Sequence, residues 1–483
     1  MKKKSLAINA LLNGIKSIMS VLFPLITFPY VSKILQVENL GKYNFAQSVC
    51  SYFLLIASMG IATYAVREGA RYRENKKKMS IFASEVFSIN IVSMIFSYIL
   101  LALTVTIVPQ LHSYAILIFI FGIEIFFQTI GTEWLYSIYE EYSYITLRSI
   151  IFQMVSLILL FGFVKEKEDY YIYAIITVIA DAGSNISNAL HRKNICKIKA
   201  VWPRNWKAHI KPILIIFAAN IATTIYVNTD STMLGFMTTD YNVGLYAVAV
   251  KIYKVVKTLL SAILVVSIPR LSNYLGNNEK DKYEQTFAKI FNALLTIAIP
   301  AVLGLFLLSE QVVLVLSDST YIEATNSLRI LSLALFVCIF GWLYNSCVLI
   351  PQKKEKQALI ATVASAMINF GLNFFLIPVW KQDAAAFTTL VAETCSMVMC
   401  VYYSKGLVKL KLSIRDIASI VVGSCCVAGV CIGLKFIVQA TLLYTFLSIG
   451  ISIAVYGIVL IVMRNSFIYE GLEILKNKFH GYK

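Results

Sequence analysis

The sequence predicts an all-α, polytopic membrane protein with about 14 transmembrane helices: two six-helix lobes related by a pseudo-two-fold along the membrane normal, plus two C-terminal helices. Three observations predict it. The 483 residues are 58% hydrophobic and 14% charged, too apolar for a soluble protein. Apolar stretches of about 20 residues, enough to cross a ~30 Å hydrocarbon core, use nearly the whole length. Basic residues are concentrated in every second connection between those stretches.

The stretches lie at roughly 8–34, 43–66, 80–108, 112–137, 146–163, 170–190, 212–237, 243–268, 286–309, 324–350, 357–378, 384–404, 415–437 and 443–463. The first follows Lys2, Lys3 and Lys4, is interrupted by Asn9, Asn13 and Lys16, and has no small-residue cleavage site after it, so it reads as a retained helix rather than a leader. Pro24 and Pro29 each remove an internal hydrogen bond and bend it. A basic linker from His191 to Lys211, punctuated by Pro203 and Pro212, separates the sixth and seventh stretches. The thirteenth and fourteenth are an appendage, and the residues from Ser466 suit a short amphipathic helix on the membrane surface. The expected divisions are an N-lobe over 1–205, a C-lobe over 206–412, two added helices over 413–464 and a cytoplasmic tail over 465–483.

Thirty-two Lys and Arg occupy the N-terminus, the tail and every second loop (Arg67 to Lys78, Arg148, Arg192 to Lys211, Arg270 to Lys289, Lys353 to Lys356, Lys405 to Arg415), against five in the alternate loops (Lys33, Lys42, Lys165, Lys167, Lys381). By the positive-inside rule the first set is cytoplasmic, so both termini are inside and the number of spans is even. The net charge of +17 is then mostly topological, and its spread over short juxtamembrane loops argues against nucleic acid as a partner. The nine cysteines lie almost all in apolar segments, without metal-ligand spacing, and read as small packing residues.

Two short matches recur in the same order. Leu40-Gly41-Lys42-Tyr43-Asn44-Phe45-Ala46 and Val243-Gly244-Leu245-Tyr246-Ala247-Val248-Ala249 both read apolar-Gly-x-Tyr-x-x-Ala at an offset of 203. Ile179-Ala180-Asp181 leading to Lys197 and Lys199 matches Val391-Ala392-Glu393 leading to Lys409 and Lys411 at an offset of 212. Such a duplication of six spans leaves both copies the same way up, related by an axis along the membrane normal with a cavity expected between them.

Polar groups inside the spans mark where that cavity should be. Asn9, Asn13, Lys16 and Ser20 form one narrow stripe on the first helix, and Asn220, Thr224, Asn228 and Ser231, with Asp230 at the shoulder, do the same on the seventh. In the eighth, Lys251, Lys254 and Lys257 share about 120° of arc, ~12 to 21 Å from its outer end. A charge there costs at least ~2.5–3.5 kcal/mol, so three need water, counter-charges or an anionic ligand. Structural pairing with Asp230, Asp181 or Glu124, or snorkelling, is the bland alternative. The acids Glu124, Asp181, Asp230 and Glu393 equally suit cation coupling or neutralisation of those lysines. Arg67 and Arg270 stand at the cytoplasmic mouths of the second and eighth spans, while Glu85 and Glu133 sit near inner helix ends and read as interface residues. Among the absences, no phosphate-cradling Gly-x-x-x-x-Gly-Lys-Ser/Thr loop and no nucleophile motif occurs, and the histidines at 112, 191, 209 and 480 lie in or beside loops, so no intramembrane histidine relay is expected. The chain moves a substrate rather than converting one.

The run from Phe23 to Leu35, then Gly41 to Ala46 and Arg67-Glu68-Gly69-Ala70-Arg71, resembles the opening of the Wzx polysaccharide flippases, the oligosaccharide branch of the multidrug/oligosaccharidyl-lipid/polysaccharide exporter superfamily. Asp230 to Gly235, Val243 to Tyr246, Lys251-Ile252 and Ile268 to Ser272 resemble the same branch's central signature. The resemblance spans essentially the full chain. It implies alternating access on an undecaprenyl-pyrophosphate-linked oligosaccharide for capsule, O-antigen or a similar polymer in a bacterial cytoplasmic (inner) membrane. It also implies no cofactor, Na⁺ or H⁺ as the coupling ion, and membrane lipids and polysaccharide polymerase machinery as partners. Burial and charge then nominate Lys16, Lys251, Lys254 and Lys257 for the headgroup, with Arg67 and Arg270 at the mouths and Asn13, Asn220 and Asn228 for sugars. Asp230 and Glu393, then Asp181 and Glu124, are nominated for ion coupling. A multidrug exporter of the same superfamily, which calls for an acidic cavity, a peptidoglycan-precursor flippase and a membrane scaffold are the alternatives.

Overall fold

The computed structural model describes residues 6–202, 206–410 and 413–471. Everything regular among the described residues is helical. The chain divides by packing into two units, Met1–Gly244 and Leu245–Lys483. The first contains α1 (Leu6–Ser58), α2 (Ile61–Gly69), α3 (Lys76–Ile107), α4 (Ala115–Gly131), α5 (Glu133–Ile138), α6 (Tyr142–Phe163), α7 (Tyr170–His191), α8 (Trp206–Met237) and the opening turn of α9 (Asp240–Gly276). The second contains the rest of α9, then α10 (Lys280–Leu307), α11 (Ser309–Leu316), α12 (Ala324–Tyr344), α13 (Glu355–Tyr403), α14 (Ile414–Ile437) and α15 (Thr441–Val462).

Ten helical stretches among the described residues are long and apolar enough to cross a membrane. Two of the ten hold a pair of crossings, because α1 breaks at Gln36 (φ 60°, ψ 175°) and α13 at Lys381 (φ 51°, ψ −127°). Helices α7 and α9 lie at the other two positions expected to span and are not among these ten. Helix α8, expected to open the second lobe, packs in the first unit: Thr232 Oγ1 bonds Ser48 Oγ and Tyr52 Oη, both at 3.1 Å.

The helices carry the polarity of a membrane protein, apolar outside and hydroxyl-rich inside. On α3 the exposed face is Val92, Ile95, Ile99 and Leu103. Its buried face turns Ser97 Oγ onto the Phe53 carbonyl at 2.6 Å, and Ser93 Oγ and Asn90 Nδ2 onto the Ala57 carbonyl at 2.6 and 2.9 Å. Without water to accept them, these donors pair with main-chain oxygens, and small side chains let the helices approach.

The duplicated glycines meet. The break at Gln36 and the turn before Asp240 make two hairpin tips, and at their contact a β-carbon on Gly41 would lie 1.8 Å from the Asp240 carbonyl oxygen. One on Gly244 would lie 2.0 Å from the carbonyl oxygen of Val37. Each glycine thus rests on the residue four before the other, which is the reciprocity of a local two-fold axis. The offset from 37 to 240 and from 41 to 244 is the 203 of the sequence repeat.

Candidate functional site

The lysine stripe lies on α9. Lys254 is exposed, whereas Lys251 and Lys257 are half-buried. Lys257 Nζ stands 3.8 Å from Glu393 Oε1 of α13 and 5.5 Å from the centre of the Tyr253 ring, with the Cys338 thiol alongside. Glu393 itself is only 8% exposed. The pairing sets a buried carboxylate against a half-buried ammonium on another helix, so that opposite charges offset part of each other's desolvation cost. The acid that meets the stripe is therefore Glu393, which the sequence nominated for coupling, and it meets Lys257.

The remaining nominated residues are dispersed. Asp230 is buried on α8, close enough to Tyr52 for their charges to interact. Asn228 donates to the Thr224 carbonyl of its own helix at 3.0 Å, and Asn220 is half-buried against the Gly60 turn. Glu124 is half-buried on α4 within electrostatic reach of Asp181, which is exposed on α7. Arg67 pairs with Glu68 at 3.3 Å at the surface, and Arg270 bonds Tyr274 Oη at 3.0 Å. The side chains of Asn13 and Lys16 lie outside the described residues.

Two polar clusters depart from the expectations. Arg148, read as a loop charge, lies inside α6 with 4% of its side chain exposed, paired with Glu133 at 3.2 Å and with the Asn188 side chain. It lies beside a stack of Tyr136, Tyr144 and His191, with ring centres 4.5–5.8 Å apart. His209, read as loop-side, lies in the first turns of α8 and is buried between Tyr64 of α2 and Glu85 of α3. Tyr64, His209 and Glu85 are thus linked by two side-chain contacts, with the histidine inside a helix rather than in a loop. In both cases polar neighbours in the sequence disguised a helix that begins earlier than its apolar stretch. The available signal was Glu85 and Glu133 at helix ends, each requiring a partner.

A family model described as "Polysaccharide biosynthesis protein" matches residues 6–275, more than half of the chain. The chain belongs to the polysaccharide biosynthesis protein family. A second model, MatE, matches residues 216–375 of this family member. The chain is 27% identical over 413 residues to a protein of Escherichia coli (strain K12) named "Putative O-antigen transporter", covering 84% of this chain and 99% of that one. It is 24% identical over 246 residues to a Haloferax volcanii protein named "Probable low-salt glycan biosynthesis flippase Agl15", about half of each chain. Among solved structures, "Lipid II flippase MurJ, inward closed conformation" superposes with a TM-score of 0.79 at 17% identity, covering 95% of this chain and 100% of that one, and shares its fold. The polysaccharide biosynthesis family member described here is thus a multi-pass membrane transporter, not an enzyme.

Proposed function

We propose that this transporter carries undecaprenyl-pyrophosphate-linked oligosaccharide repeat units from the cytoplasmic to the outer leaflet of a bacterial cytoplasmic membrane by alternating access, coupled to a Na⁺ or H⁺ gradient. The observation that carries the reading is the lysine stripe of α9, in which Lys254 is exposed and Lys251 and Lys257 are half-buried. A pyrophosphate offers the multiple anionic oxygens that repay the cost of such charges, and the polyprenyl tail can remain in lipid. The excess of basic residues in alternate loops supports cytoplasmic termini, and the names of the relatives support a lipid-linked glycan as cargo.

The Lys257–Glu393 pair links anion and cation binding: when pyrophosphate takes Lys257, the buried Glu393 loses its counter-charge and gains affinity for a proton or Na⁺, so the two ligands favour each other's binding. Asp230, Asp181 and Glu124 are further coupling candidates, and assembly with polymerase machinery is part of the same proposal. Lys254→Ala combined with Lys257→Ala tests it. Losing two charge-assisted contacts of ~1.5–3 kcal/mol each should lower surface polymer at least ~100-fold while the protein still reaches the membrane. Undiminished polymer from that variant would overturn the assignment.

A further inference from the structure

The basic-loop end of the first unit holds an open cavity of about 470 Å³ lined by α2, α3 and the first turns of α8. Its wall contains a continuous side-chain chain. Tyr64 Oη lies 2.6 Å from His209 Nδ1, and His209 Nε2 lies 3.0 Å from Glu85 Oε2. Tyr64 is 4% and His209 8% exposed, yet both border the cavity. The other titratable groups facing this space are Glu68 of α2, the neighbouring Tyr72 and Lys78 of α3, and Glu68 is already held by Arg67 and Arg71 at 3.3 and 2.9 Å. On the histidine's own helix Lys207 and Lys211 are exposed.

The chain has an unusual property: it stays bonded with or without an added proton. In the neutral ring Nε2–H donates to the Glu85 carboxylate and Nδ1 accepts the Tyr64 hydroxyl; in the charged ring Nδ1–H donates to the Tyr64 oxygen and Nε2–H still donates to Glu85. A structural clamp needs only one of these states. A ring with partners suited to both, beside a cavity through which water can deliver or remove the proton, is built to hold and release one.

We propose that Tyr64, His209 and Glu85 form a proton-binding site, loaded from the basic-loop end, that ties the protonation state of the first unit to the seating of α8 on α2 and α3. This site is separate from the α9 stripe. Its effect on transport rests on the functional reading above; its proton binding does not.

His209→Gln is the discriminating variant. A glutamine amide can donate to Glu85 and accept from Tyr64, preserving both bonds while being unable to take up a proton. Two measurements are needed. The first is acid titration of the purified full-length protein in detergent, with wild type and variant compared at equal concentration and with equal thermal midpoints at pH 8. Over the full titration the wild type should take up about one proton more per chain than the variant. The second is surface polymer made by cells relying on each protein as cytoplasmic pH is lowered with a permeant weak acid, where the variant should lose the pH dependence shown by the wild type. Superimposable titration curves would overturn the proton site, and a one-proton difference with identical pH profiles would overturn its link to transport. If neither protein supported any polymer, the functional reading would fail while the titration still decided the site.

Discussion

The two ends of the first unit are held together by opposite means. At the hairpin tips, main chain meets main chain: Gly41 rests on the Asp240 carbonyl and Gly244 on that of Val37, with Val37, Leu40 and Val243 buried around them. At the basic-loop end side chains bridge the helices, through Tyr64–His209–Glu85 around a cavity and through Arg148–Glu133–Asn188 nearby. The tips are fitted mainly by shape, with one polar clasp where Tyr114 Oη donates to Asp240 Oδ1 at 2.7 Å. The basic-loop end sets its polar bridges in an apolar cluster that includes Tyr64, Phe82 and Ile213, and the strength of those bridges depends on charge and water. The difference teaches that one end should answer to added volume and the other to altered protonation or pairing.

The largest effect should come from breaking the tip contact. Gly41→Val places atoms where the Asp240 carbonyl stands, and because the obstacle is backbone in both directions, no rotamer change relieves it. A loss of ~3 kcal/mol or more of stability is expected, measured as a lowered denaturation midpoint in detergent. Gly244→Val should do the same. The double variant should cost about as much as either single one, since separating the tips relieves both clashes together. Full additivity in this cycle would show the two glycines to be independent sites and the reciprocal contact to be without consequence.

A smaller effect is expected at the other end, and its sign pattern is the informative part. Removing Glu133 leaves the Arg148 guanidinium in place with 4% of its side chain exposed, whereas removing Arg148 leaves a carboxylate that is 43% exposed and can hydrate. Glu133→Ala should therefore cost about 2 kcal/mol, below the ~3–5 of a fully buried pair because one partner reaches solvent, and Arg148→Met should cost less. The reverse order would mean that Arg148 is held by Asn188 and the tyrosine stack rather than by its counter-charge.

The contrast between the ends was half legible in the sequence. The glycine repeat at an offset of 203 announced the tip contact, because a close main-chain approach needs glycine and leaves that mark on the residue itself. The helices were legible too, since hydrocarbon demands long apolar runs that few other structures produce. The breaks at Gln36 and Lys381 fall in the connections expected between paired spans. What could not be read was which acid faces which base. Lys257 meets Glu393 and His209 meets Glu85 across more than a hundred residues of sequence, through helix rotations that depend on all neighbouring packing. Arg148 and His209 looked like loop residues because membrane helices extend past their apolar stretches, into polar segments whose composition resembles a linker.

The smallest predicted effect sharpens the comparison most. Tyr64→Phe keeps the ring that packs on Phe82 at 6.2 Å and on His209 at 5.8 Å and removes only the hydroxyl. The packing at this end is then unchanged, and His209 Nδ1 loses its one partner across the 2.6 Å contact. A buried polar atom left without a bond costs about 1–3 kcal/mol; the adjoining cavity can admit a water to replace the hydroxyl, so the expected loss is at the lower limit, about 1 kcal/mol. The measurement is the same denaturation midpoint, repeated with Tyr52→Phe, whose hydroxyl bonds Thr232 at 3.1 Å between α1 and α8. There Thr232 keeps its bond to Ser48, so nothing is left unpaired. If the two ends differ as the geometry requires, Tyr64→Phe should weaken the protein more than Tyr52→Phe. Equal losses would mean that both ends are held by packing, with the hydroxyl chain at His209 contributing nothing to the seating of α8.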